Sequence, residues 1–199
     1  MKILMMGPQG CGKGTIGKLL SEGLGTPLIS TGEVLRELPH DSSLYKEMDS
    51  YMSRGLLAPN DLLAKILKEK VAGMESYILD GWGRQKSDLA FFDPGFDQVI
   101  YLTISKETSL KRLSTRRTCN NCGEIYNIVT KKPKIEGICD LCGGALVQRN
   151  DDKEEAIAER LEIFNKETLP VIDYFRQKGL LVELNGEGSP QEVLNAYKR

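Results

Sequence analysis

The sequence has little that would place it in several large classes of protein. Net charge is close to zero, with 27 basic against 28 acidic residues. No basic run stands out as a footprint for DNA or a membrane surface. No apolar stretch approaches the ~20 residues a membrane-spanning helix needs. The opening MKILMMG has one lysine and a short apolar run, too brief for a secretory leader. There is one tryptophan (Trp82) and one histidine (His40), so chemistry built on paired histidines is excluded. His40 lies in a polar segment and is read as exposed. Cysteine is scarce at five residues, and without a leader these point to a reducing cytoplasm. There, paired cysteines are more often metal ligands than disulfides.

At 199 residues, the chain suffices for one domain with a full core and insertions. Strand-type runs at Lys2–Met6, 27–30, Tyr77–Asp80, 99–104 and 181–184 alternate with helical spacing at 15–24, 61–71, 106–116 and 153–177. Pro170 should kink or restart the last helix. Alternating strands and helices imply a doubly wound, five-stranded parallel sheet with helices on both faces. Ligands should collect at the carboxyl ends of its strands. Residues 31–60, polar and helical, and 117–150, holding four cysteines, interrupt the alternation and read as insertions in a single domain spanning 1–199.

Directly after the first strand comes GPQGCGKGT, Gly7 to Thr15. The pattern G-x-x-x-x-G-K lets backbone N–H groups converge on phosphate oxygens at a helix N-terminus, and Lys13 adds a point charge. Gly14, not a hydroxyl residue, follows the lysine. Thr15 is displaced by one, which suggests magnesium held largely through water. Cys11 reads as a small residue fitting a tight loop.

Cys119-x2-Cys122 and Cys139-x2-Cys142 are separated by sixteen residues, within the range of tetrahedral zinc sites built from four thiolates. Gly123 and Gly143 follow the pairs and permit knuckle turns. Four thiolates close the coordination shell, so the expected metal is structural. A zinc ribbon reading nucleic acid would need more than the small cluster Lys131, Lys132 and Lys134.

The ordered motifs GPQGCGKGT, STGEVLRE (30–37), DGWGR (80–84), RLSTRR (112–117), the four-cysteine segment, QRNDD (148–152) and the Glu159-Arg160 pair span nearly the whole chain. In these it resembles the adenylate kinases whose lid carries a zinc knuckle. The resemblance implies phosphoryl transfer from ATP to AMP with magnesium, 31–60 as the monophosphate-binding insertion and 117–150 as the lid. It implies ATP contacts from Gly10, Cys11, Gly12, Lys13, Gly14, Thr15, Arg112 and Arg116. The AMP side would draw on Thr31, Arg36, Leu56, Ala58, Gly81, Arg84, Asp88, Arg149 and Arg160. Lys13, Arg84, Arg116, Arg149 and Arg160 would be catalytic, Asp80 and Thr15 would order magnesium waters, and Asp151 and Asp152 would orient arginines.

Two departures stand out. The family's D-G-F-P-R is here Asp80-Gly81-Trp82-Gly83-Arg84, and its base-pairing glutamine, four residues after the arginine, is Asp88. An ionised carboxylate only accepts hydrogen bonds, so altered acceptor selectivity (GMP, CMP or UMP) is the alternative to AMP, with Gln85 able to compensate. Asp80 to Gly83 also spells the D-x-x-G of a GTP switch. That reading needs N-K-x-D, and Asn165-Lys166-Glu167-Thr168 lacks the aspartate.

Overall fold

The computed structural model describes residues 1–197; the last two residues of the expected domain lie outside the described part. Along the chain, β1 (Lys2–Met6) leads through the glycine loop into α1 (Lys13–Leu24), followed by β2 (Leu28–Ser30). Three helices come next: α2 (Thr31–Arg36), α3 (Ser43–Met52) and α4 (Asn60–Lys70). Then follow β3 (Tyr77–Asp80), α5 (Lys86–Phe91), β4 (Gln98–Thr103) and α6 (Lys106–Ser114). Short strands β5 (Arg116–Cys119), β6 (Ile125–Asn127) and β7 (Leu146–Val147) precede α7 (Glu154–Ile163). A single π turn (Phe164–Thr168) joins it to α8 (Leu169–Gln177), and β8 (Leu181–Asn185) and α9 (Pro190–Tyr197) close the described chain.

Five strands form one parallel sheet in the order β2-β3-β1-β4-β8. The run KILMM explains why β1 is central: four of its five residues are buried, as a strand covered on both faces requires. Strand alternation sorts them. Leu4 and Met6 face a core shared with α2, α4 and α8, whereas Ile3 and Met5 face one closed by Ile16 and Leu20 of α1 and Val193 and Leu194 of α9. The expected doubly wound α/β fold is what the chain adopts.

Three local expectations change. The helix expected over 106–116 stops at Ser114, because Arg116 pairs with Asn127 in an antiparallel hairpin. Asn127 Nδ2 donates to Thr115 Oγ1 at 2.7 Å and secures that boundary. Residues 116–147 therefore hold a small sheet, β6-β5-β7. The helix expected over 153–177 passes without a break through the π turn just before Pro170, a place where the regular ladder is already interrupted and a residue without an N–H is accommodated. Helices α5 and α9, too short to show a clear period, were not foreseen. His40 is exposed and stacks on Tyr45 with ring centroids 4.2 Å apart.

The segment after α3 packs onto α7 through Gly55. With φ +77°, a Cβ here would lie 2.6 Å from the Ala156 carbonyl oxygen and 2.8 Å from Arg160 Cγ. Only a residue without a side chain allows that approach. Gly55→Ala is expected to cost about 1–3 kcal/mol in backbone strain and contact. That should lower the melting temperature by about 2–10 °C in a circular-dichroism scan.

Candidate active site

The carboxyl ends of β1, β2, β3 and β8 open onto one cavity of ~790 Å³. Every residue that the sequence places in the nucleotide and magnesium sites lines it, from Gly10 and Thr15 through Arg36 and Asp80 to Arg160. Gly188, Ser189 and Pro190 line it as well, as do Leu56, Ala58 and Gln85.

The glycine loop forms the floor. Gly12 adopts φ 98° and hands the chain to α1, whose first N–H groups have no helical partner. Lys13 Nζ donates to the carbonyls of Gly7 (2.7 Å) and Pro8 (3.0 Å), which keeps its charge at the mouth of the loop. Cys11 is buried, and burial pushes its thiol up against the opposing pull of Lys13, so it stays neutral. Arg112 ties the loop to the chain after β8 by donating to Gly10 O, Gly186 O and Glu187 O.

Above the floor, arginines converge from five parts of the chain. Arg116 meets Asp152 through two hydrogen bonds, Nε–Oδ2 at 2.7 Å and Nη2–Oδ1 at 2.6 Å. Arg160 pairs with Asp151 at 3.1 Å and Asp152 at 3.5 Å. Its partners are thus the two aspartates before α7, and not the glutamates of its own helix. Neither aspartate caps α7, whose N-cap is Lys153. Arg36, Arg84 and Arg149 have no carboxylate within 4.0 Å among the described residues. Burial, then the charges of Arg116 and Arg36, hold the Arg149 guanidinium down to about 9. Burial likewise lowers Arg36, and lowers Arg160 to about 10. Such a cluster is short of negative charge.

Three buried polar atoms have no protein partner among the described residues: Asp80 Oδ1, Thr31 Oγ1 and Gln9 Oε1. All three residues line the cavity. Burial raises the Asp80 carboxyl, while Lys13, Arg84, Arg36 and Arg149 pull it back. A shielded carboxylate oxygen with a free lone pair suits the waters of a hard cation.

The loop after β3 is built differently from the expectation for Asp88. Asp88 is buried, and its Oδ2 accepts from the backbone N–H groups of Arg84 (2.8 Å) and Gln85 (3.1 Å). That oxygen caps its own helix. Gly83 adopts φ +67°, which proline, fixed near −65°, cannot reach. Trp82 is buried, with Nε1 donating to Phe92 O at 2.8 Å. Sequence reading also missed Thr168, whose hydroxyl donates to Arg84 O at 2.7 Å. The two are 84 positions apart and no local pattern links them.

Beyond β5, the sulfur atoms of Cys119, Cys122, Cys139 and Cys142 lie within 4.8 Å of one another. The Cys119–Cys142 and Cys122–Cys139 pairs stand at 3.5 and 3.6 Å, and all four thiols are free. A tetrahedron with bonds of about 2.3 Å has edges of about 3.8 Å, so the set matches a four-thiolate zinc site. Each pair sits on a knuckle, closed by Gly123 N–H to Cys119 O and by Gly143 N–H to Cys139 O. Both glycines have positive φ. Tyr126 Oη lies 3.5 Å from Cys139 Sγ while accepting from Asp140 N, a second layer that orients the ligand.

Excess positive charge predicts a response to polyanions. Inorganic pyrophosphate should raise the melting temperature, by about 2.7 kcal/mol of added stability at a hundredfold excess over its dissociation constant. The gain should shrink as salt is raised and should be smaller in Arg149→Leu; differential scanning fluorimetry reads both.

Comparison with known proteins agrees with this geometry. The adenylate kinase family model matches residues 5–180. The adenylate kinase of Thermosipho africanus (strain TCF52B) is 39% identical across the whole of both chains. That of Caldicellulosiruptor bescii is 37% identical, covering 98% of each. The adenylate kinase of Archaeoglobus fulgidus is 39% identical over 94% of this chain and 91% of its own. With the glycine loop, the convergent arginines and the four-cysteine knuckles all on one frame, the chain belongs to the adenylate kinase family.

Proposed function

We propose that the protein catalyses reversible transfer of the γ-phosphoryl group of ATP to AMP, giving two molecules of ADP. The observation that carries this reading is the single cavity. It joins a phosphate loop to arginines without carboxylate partners among the described residues, Arg36 and Arg84. Two nucleotides entering from opposite ends would meet phosphate to phosphate. Their combined size suits a cavity near the upper end of the ~300–1,000 Å³ range of ligand sites.

Phosphoryl transfer asks little covalent work of a protein and much positioning and charge neutralisation. Backbone N–H groups from Gly10 to Thr15 and the Lys13 ammonium hold the donor phosphates. Arg112 and residues Gly188–Pro190 flank the donor base. Arg36 and Arg84 hold the acceptor phosphate, whose oxygen attacks the γ-phosphorus as the bond to the β,γ-bridging oxygen breaks. Arg116, Arg149 and Arg160 gather the charge that spreads over the group in flight, using the planar fork that meets phosphate oxygens in pairs. Thr31, Leu56, Ala58 and Gly81 border the acceptor nucleotide. Magnesium bound with ATP would supply further neutralisation of the phosphate oxygens, with Asp80 and Thr15 ordering its waters.

Residues 31–60 and 117–150 act as two covers over the acceptor and donor. Closing them excludes water, which would otherwise take the phosphoryl group. Zinc held by Cys119, Cys122, Cys139 and Cys142 would stiffen the donor cover, whose own apolar core is small, built on Tyr126 and Leu146 beside two of the cysteines. Reduced thiols fit a cytoplasmic setting, and among the described residues no helix is long and apolar enough to cross a membrane.

Two measurements test this. ATP with AMP should yield two ADP, run beside GMP, CMP and UMP, and Arg84→Ala should lower kcat/KM by about 10²–10³; no transfer to any monophosphate overturns the assignment. Chelation or Cys139→Ser should lower the melting temperature markedly while leaving low-temperature turnover nearly unchanged. Identical melting of the zinc-loaded and zinc-free forms overturns the structural role of the metal.

A further inference from the structure

Arg84 is held at every polar group except the tips of its guanidinium. Its N–H donates to Asp88 Oδ2 at 2.8 Å, and its carbonyl accepts from Thr168 Oγ1 at 2.7 Å. Its Nε donates to Gly81 O at 3.0 Å. No carboxylate lies within 4.0 Å of its terminal nitrogens among the described residues. Asp88 and Thr168 are each 5% exposed, so neither bond competes with bulk water.

Both contacts depend on features of the chain otherwise unexplained. Gly83, at φ +67°, turns the backbone so that the next two N–H groups, those of Arg84 and Gln85, meet one carboxylate oxygen. Thr168 ends the π turn between α7 and α8. In an α-helix, positions eight apart drift by about 80° around the axis. The wider winding of a π turn takes back most of that drift. Arg160, Phe164 and Thr168 consequently all face the cavity.

We propose that Asp88 and Thr168 are positioning residues that clamp the Arg84 peptide unit and aim its guanidinium at the acceptor phosphate. In this role Asp88 does not read the acceptor base. The inference rests on the kinase reading above and deepens it. Arg84 then enters the reaction pre-aligned, with less backbone freedom to lose when the phosphate arrives.

Steady-state kinetics of Asp88→Ala, Asp88→Asn and Thr168→Val test the clamp, with ATP and acceptor varied separately. Thr168→Val and Asp88→Ala should each raise the acceptor KM about three- to tenfold, the scale of one or two lost hydrogen bonds, with the KM for ATP unchanged. Asp88→Asn, which keeps a carbonyl acceptor, should recover most of the loss. The preference among AMP, GMP, CMP and UMP should stay that of the wild type. A changed preference in the Asp88 variants would make Asp88 a base reader and overturn the clamp. So would donor and acceptor KM rising together, or neither moving. If Asp88→Ala does not fold, Thr168→Val, which keeps side-chain shape, carries the test alone. A wild type inactive with every monophosphate overturns the kinase reading itself; an active wild type with unaffected variants overturns only the clamp.

Discussion

Asp152, its carboxylate shut off from solvent, grips Arg116 with two hydrogen bonds and lies 3.5 Å from Arg160. Removing one partner of such a buried pair typically costs about 3–5 kcal/mol, because the other charge is left uncompensated. This interaction also joins three parts of the molecule: the first residue of β5, the turn before α7, and α7 itself. Around it sit Arg36, Arg84 and Arg149, with no carboxylate within 4.0 Å among the described residues. Asp151 and Asp152 compensate enough charge to let the cluster exist in the folded state, yet leave it electrically incomplete.

The sheet and its two apolar layers hold the glycine loop and Asp80 at strand ends, and Arg84 follows four residues after β3. Residues 117–150 have less to hold them. The region from β5 to β7 has a three-stranded sheet and an apolar cluster of only four residues, two of them cysteines. Its contacts with α1 include the ion pair Lys18–Glu124 at 3.5 Å, where the lysine is mostly exposed. Exposed pairs of this kind contribute little. On the proposed reading, a cover held so lightly would open for nucleotide exchange while something else preserves its internal shape. Four sulfur atoms at near-tetrahedral spacing are suited to that task.

Much of the fold and site was legible because it is written locally. The run KILMM, the glycine spacing from Gly7 to Lys13, and the two C-x2-C pairs each carry their physical reason within a few residues. The arginines were legible only as members of ordered motifs. What escaped was non-local or too short to have a period. The strands β5 to β7 are two to four residues long. Helix α5 has six residues. The π turn has no composition that distinguishes it from the helices it joins.

Asp88 separates the two kinds of information. Its chemistry, an acceptor four residues after Arg84, is plain in the sequence and there suggests a base reader. Its direction depends on Gly83 adopting positive φ and on α5 starting at Lys86, and these turn the carboxylate onto its own backbone. The amino-acid sequence alone determined the sheet, the phosphate loop and the four-thiolate set, since burial period, glycine freedom and ligand spacing are short-range properties. Tertiary structure decided which carboxylates answer which arginines and how Thr168 reaches Arg84. The pairs Arg116–Asp152 and Arg84–Thr168 join residues 36 and 84 positions apart, and the energies of all of them depend on burial that exists only once the chain has folded.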